Sequence, residues 1–167
     1  HGVGKGRTKR NTPSVLNMAS REILFWDGRA NSLEHQSLFP IRDGNEMNLP
    51  IPVAVSRLRK NRKYSRWFKE VYHRLPDEKS LADAIAAYEA ALETTDSPFD
   101  LASNGKGKLS PDEIAGQKLF IGKAKCFDCH FSPDFTADEF KNIGLYDGKK
   151  WNDRGRFSTR ALSSPTF

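Results

Sequence analysis

The clearest hydrophobic pattern runs from Leu81 to Leu92, where Leu81, Ala84, Ile85, Tyr88, Ala91 and Leu92 share one face of an alanine-rich stretch and predict a helix. Between Val53 and Tyr72 the apolar positions Val55, Leu58, Trp67, Phe68, Val71 and Tyr72 leave a face of Arg and Lys, which predicts a surface helix or a broken pair. Ser110-Pro111-Asp112-Glu113 is a capping box with proline at the first helical position, and it opens a helix carrying Ile114, Leu119 and Phe120. Nearer the start, Asn11-Thr12-Pro13 forces an extended or turning backbone, a short helix is predicted near Val15 to Ala19, and Phe25-Trp26-Asp27-Gly28-Arg29 ends in a glycine turn. Asn31 is the expected cap of a helix through Gln36, with Glu34 at the capping-box position and Pro40 as its stop. After His130 both periodicities fade among Pro133, Gly144, Gly148, Gly155 and scattered aromatics, as a loop-rich wrap around a large apolar ligand requires. The expected fold is mainly α, loop-rich, with little strand. The polar stretch Ser97-Pro98-Phe99-Asp100 to Ser103-Asn104-Gly105-Lys106-Gly107 reads as a junction between two domains.

With 37% hydrophobic and 29% charged residues, the chain has the composition of a globular protein rather than a disordered one. No apolar run approaches the roughly 20 residues that span a bilayer, so no membrane span is expected. A net charge of +6 raises the question of nucleic acid, but the basic residues are spread through Lys5 to Arg10, Arg57 to Lys63 and Lys149 to Arg160, and no nucleic-acid motif accompanies them. Solvated surfaces, with docking of an acidic partner, account for the charge. The chain opens on His1 with no leader pattern, as expected of a segment from within a mature protein.

Both cysteines fall in Cys126-Phe127-Asp128-Cys129-His130, so no disulfide framework is expected. Two thiols three positions apart can bond the two vinyl groups of a haem while the adjacent imidazole reaches the iron, which makes Cys126, Cys129 and His130 the candidate attachment and ligand residues for haem c. A closed zinc site needs a second pair of ligands and a redox dithiol is expected within a βαβ unit; the sequence offers neither. Gly116, Leu119 and Phe120 ahead of Cys126 resemble the Gly-x-x-Leu-Phe helix that packs on haem in small c-type cytochromes. His35 and His73 read as solvated side chains, and nothing local marks His1.

A wider resemblance runs along the chain. His1-Gly2, Arg10-Asn11-Thr12-Pro13-Ser14-Val15-Leu16-Asn17, Phe25-Trp26-Asp27-Gly28-Arg29-Ala30, Leu33, Gln36, Pro40, Glu46-Met47, Ser97-Pro98-Phe99-Asp100, the haem motif, Phe135-Thr136 and Asn142-Ile143-Gly144-Leu145 follow one another as in bacterial diheme cytochrome c peroxidases. The resemblance implies two cytochrome-c-like haem domains, residues 1–100 belonging to an N-terminal peroxidatic domain and residues 101–167 to a C-terminal electron-transfer domain. The attachment motif of the first haem lies upstream of the position matching His1 and is absent from this sequence. By the same resemblance the distal ligand of the second, commonly Met and in some members Tyr, comes beyond the position matching Phe167, while Met18 and Met47 precede the haem motif and match other positions.

In family terms the haem at His130 takes electrons from a small donor cytochrome or cupredoxin and passes them to the N-terminal haem, where hydrogen peroxide is reduced. Trp26 matches the tryptophan between the haems, Glu46 the catalytic glutamate, Gln36 the distal glutamine and His1 the distal ligand of the N-terminal iron. Asn11 matches a calcium ligand; the carbonyls expected near Ser164 fall in Leu162-Ser163-Ser164-Pro165-Thr166, which departs from the family pattern. A homodimer and a periplasmic location are further expectations, the latter because thioether attachment is completed outside the bacterial cytoplasm. Two alternatives stand beside peroxide reduction: a diheme enzyme that oxidises a residue of a partner protein, and a plain electron-transfer cytochrome.

Overall fold

A computed structural model of the chain describes residues 2–8, 10–137 and 139–157. The described residues form six named α-helices: α1 Leu33–Arg42, α2 Ile51–Lys60, α3 Arg62–Tyr72, α4 Glu78–Ala90, α5 Pro98–Ser103 and α6 Pro111–Ile121, with 3-10 turns at Val3–Lys5 and Cys126–Asp128. The described residues hold no strand; Leu24 and Ala30 form one isolated bridge. The mainly helical, loop-rich expectation is met. The chain forms two compact units, 1–92 with 144–167 and 93–143.

In the first unit α1 lies along α4, α2 touches both, and α3 folds back on α2. Their shared core is Ile41, Ile51, Ala54 and Val55, with Leu38, Leu49, Leu81 and Ile85 packed against it. Burying a large aliphatic side chain of this kind contributes about 1.5–3 kcal/mol. Asn61 makes the break within the long basic segment: its N–H reaches back to Arg57 and Leu58 at the end of α2, and its side-chain oxygen accepts from Lys63 and Tyr64 at the start of α3. A single short amide thereby closes one helix and opens the next. α4 begins at a reciprocal box in which Asp77 Oδ1 accepts from Ser80 N at 2.7 Å and Ser80 Oγ accepts from Asp77 N at 3.0 Å.

Four local expectations are corrected. Val15 to Ala19 is a run of turns, not a helix: five residues cannot repay helix nucleation, and Asn17 sits at φ 58. Ser32, rather than Asn31, caps α1 by accepting from His35 N. Pro40 lies inside α1, which runs on to Arg42 after giving up one bond to the Gln36 carbonyl. The stretch read wholly as a connection contains α5, opened by a capping box between Ser97 and Asp100. The box at Ser110 is present as predicted, with Glu113 N donating to Ser110 Oγ and Ser110 N to Glu113 Oε2.

In the second unit α6 runs into the 3-10 turn at Cys126, and between 131 and 143 the described residues form no helix or strand. No described residue of this unit is buried.

Candidate functional site

At the C-terminal end of α6 the chain turns through Gly122 and Lys125, the latter in the left-handed region at φ 53, and enters the turn that holds both thiols. Cys129 N and His130 N both donate to the carbonyl of Cys126, at 3.2 and 2.9 Å, which fixes the imidazole relative to the two sulfurs. Cys126 is half-buried and Cys129 exposed, and both are free thiols. His130 Nδ1 lies 3.0 Å from the carbonyl oxygen of Phe135. A carbonyl can only accept, so Nδ1 carries the hydrogen and Nε2 keeps the lone pair a metal needs. Phe135 is held at φ 52 and locked edge-on against Phe99 and Phe120, with ring centroids at 4.9 and 5.8 Å. The position of the orienting carbonyl therefore depends on aromatic packing.

The donor set and its surroundings fit a haem. Leu119, Phe127, Phe131 and Phe140 stand exposed within this unit, a set of apolar side chains that needs a large apolar group to cover it. Paired thiols, an oriented imidazole and exposed apolar side chains in a unit without a core of its own are what a c-type haem would use.

The described residues among those expected around an N-terminal haem, Trp26, Gln36 and Glu46, lie in the first unit. Asn11 and Glu46 line one cavity of about 600 Å³ together with Arg7, Arg10, Gly2 and Met47. Glu46 is set there by its backbone, which accepts from Val3 N at 2.7 Å and donates to Asp43 O at 3.0 Å. Gly2 is obligatory beside it, because a Cβ at that position would meet the Asn45 carbonyl oxygen at 1.8 Å. Gln36, half-buried on α1, does not line this cavity. His1 and Ser164 lie outside the described residues. Among the described residues no group of three His, Cys, Asp or Glu gathers to hold a metal ion. His35 and His73 are both exposed.

Trp26 is 59% exposed, and its indole Nε1 donates to the backbone oxygen of Asn11 at 2.7 Å. The next residue, Asp27, is buried and receives Arg29 at 2.8 Å and Arg10 at 3.4 Å. Arg10 in turn grips Asp153 through two bonds of 2.7 and 2.6 Å, and that contact is the foremost cause of its raised pKa. The Arg29 guanidinium stacks 3.5 Å over the Phe25 ring, which packs edge-on against Phe39 of α1. Asp27 and Arg29 were visible as motif letters; their pairing with Arg10 and Asp153 was not, and neither was the Phe135 carbonyl.

A family model described as di-haem cytochrome c peroxidase matches residues 1–108. Methylamine utilization protein MauG of Methylorubrum extorquens is 36% identical over 169 residues, covering 99% of this chain and 48% of that protein. Cytochrome c551 peroxidase of Pseudomonas aeruginosa is 32% identical over 176 residues, covering 100% of this chain and 50% of that protein. Among solved structures, a MauG-like protein associated with microbial copper homeostasis superposes with a TM-score of 0.75 at 27% identity, covering 89% of this chain and 48% of the other. The chain belongs to the di-haem cytochrome c peroxidase family. It spans about half the length of the curated relatives it matches.

Proposed function

We propose that this chain is the part of a di-haem cytochrome c peroxidase that joins its two haem domains, residues 1–100 serving the peroxidatic domain and 101–167 the electron-transfer domain. The observation that carries the reading is the alignment along the whole chain with a cytochrome c551 peroxidase. The reaction takes two electrons from a small cytochrome or cupredoxin and two protons, and converts one hydrogen peroxide to two waters. Cys126 and Cys129 would hold haem c by thioether bonds and His130 would ligate it, the haems supplying the redox change and an open coordination position.

The protein's own share is proton handling and orientation. Glu46 takes the proton from one peroxide oxygen and returns it to the other, the work a carboxylate beside an open site can do. By family likeness Gln36 is the distal glutamine, although it stands off the cavity that Glu46 lines, and His1 would be the distal ligand of the N-terminal iron; Asn11 contributes an amide oxygen to a calcium ion, and Trp26 relays electrons one at a time through its polarizable indole. Assembly of thioether-bound haem places the protein in the periplasm. No helix of the described residues is long and apolar enough to cross a membrane.

The test uses the full-length protein. Pyridine haemochrome analysis gives two haems per chain, and Glu46→Gln lowers peroxide turnover by about 10²- to 10⁴-fold at unchanged haem content. Unchanged turnover in that variant removes Glu46 from its role. A second reading, oxidation of a residue on a partner protein, draws on the likeness to MauG; slow turnover with every small donor, alongside oxidation of the partner, favours it.

A further inference from the structure

We infer that Arg10 is the positioning residue for Trp26 and acts through Asp27, so that the chain segment 10–11 and the segment 26–27 form one clamp around the indole. The inference rests on the relay role proposed for Trp26. With more than half of its surface open within this chain, the indole is poorly held by packing, and one hydrogen bond, to the Asn11 carbonyl, sets its orientation. That carbonyl is only as fixed as the backbone that carries it. The neighbouring Arg10 fixes it twice over, by its contact with Asp27, the residue after Trp26, and by its fork onto Asp153.

The two segments are therefore joined by a reciprocal pair of bonds: indole to backbone, and guanidinium to carboxylate. Asp27 is suited to the second because it is buried and already bears Arg29, so its charge is compensated on both oxygens. Arg10 is suited because a planar fork can reach two carboxylates and the Gly155 carbonyl at once, at 3.3 Å for the latter; an ammonium group offers no such fork. Asp153 ties the clamp to the segment that follows the second unit. Electrons crossing the indole leave it as they found it, so the clamp changes only how the ring is held, not the stoichiometry.

The experiment compares full-length holoprotein carrying Arg10→Ala, Arg10→Lys, Asp153→Asn, Trp26→Phe and the double substitution Arg10→Ala with Trp26→Phe. Ultraviolet resonance Raman, with the Trp26→Phe spectrum subtracted, reports the indole N–H hydrogen bond independently of turnover. Arg10→Ala and Arg10→Lys both move that band towards a weaker bond, and Asp153→Asn, the mildest change, moves it part of the way. In turnover, Arg10→Ala lowers kcat by about ten- to a hundredfold, as small misplacements of a working group do, with KM for peroxide unchanged. The double variant is no slower than Trp26→Phe alone, because a residue acting through Trp26 has nothing left to position. An unmoved band, or losses that simply multiply in the double variant, overturns the clamp. Wild-type turnover in Trp26→Phe overturns the relay instead, and the Raman band still decides the clamp.

Discussion

Residues 1–92 with their C-terminal segment bury nine apolar side chains among the described residues, from Leu24 to Ala86, whereas residues 93–143 bury none and leave nine large ones exposed, from Leu101 to Ile143. Both units have well-formed helices, most of them with a side-chain cap, so the difference is not in local structure. It lies in what the apolar residues meet. In the first unit α1, α2 and α4 present their stripes to one another; within the second, Phe99, Phe120 and Phe135 meet ring to ring, yet no described side chain becomes buried. A unit of this size without an internal core gains most from a bound group that covers its apolar side chains, and the haem proposed at Cys126 and Cys129 would be that group.

The sharpest way to break this comparison is to prevent haem attachment. In full-length protein, replacing Cys126 and Cys129 together by serine should abolish amide-exchange protection in α6, while protection in α4 changes by less than about tenfold. His130→Ala, which leaves the thioether bonds possible, should cause an intermediate loss confined to residues 93–143. Equal loss in both units would show that the first has no independent core.

Side-chain truncation sharpens the same contrast at smaller magnitude. Phe68, 7% exposed on α3, should cost about 3–5 kcal/mol as Phe68→Ala whether or not haem is attached, read by denaturant unfolding of the first unit. Leu119→Ala should be nearly silent in haem-free protein and destabilising only once haem is bound, because only then does its side chain lose a neighbour. An equal cost in both states would mean that Leu119 packs against protein alone.

This division also explains what could be read in advance. Ser110, Pro111 and Glu113 act within one helical turn, so the start of α6 was legible; between Val53 and Tyr72 one surface helix and a broken pair were both open, and the break at Asn61 rests on a side-chain cap that periodicity does not reveal. Pro40 misled because α1 is held by its packing on α4 and α2, which outweighs one lost bond. The haem motif carries its chemistry in five consecutive letters. The groups that orient it and its counterpart do not: Phe135 contributes a backbone oxygen, which no residue type announces, and Arg10 meets Asp153 across 143 positions. The catalytic assignments of Glu46 and Gln36 came from family likeness alone, since in the folded chain each is a half-buried polar residue of ordinary appearance.

The smallest effect expected is also the most local, and it tests whether α6 is built like the helices of the first unit despite lacking their core. Ser110→Ala removes the acceptor for Glu113 N and should weaken α6 by about 1 kcal/mol, a cost similar to that of a lost cap elsewhere. The Glu113 carboxyl is held below its ordinary value, first of all by the backbone N–H of Ser110. An acid whose pKa is lowered on folding stabilises the helix in its ionised form, so this contribution is complete above the ordinary carboxylate range and fades as pH falls through the lowered value. Glu113→Gln should flatten that part of the pH dependence of amide exchange in α6. If the acid-side loss of protection is the same in the variant as in the wild type, the cap does not set the stability of α6, and haem attachment alone holds the helix in place.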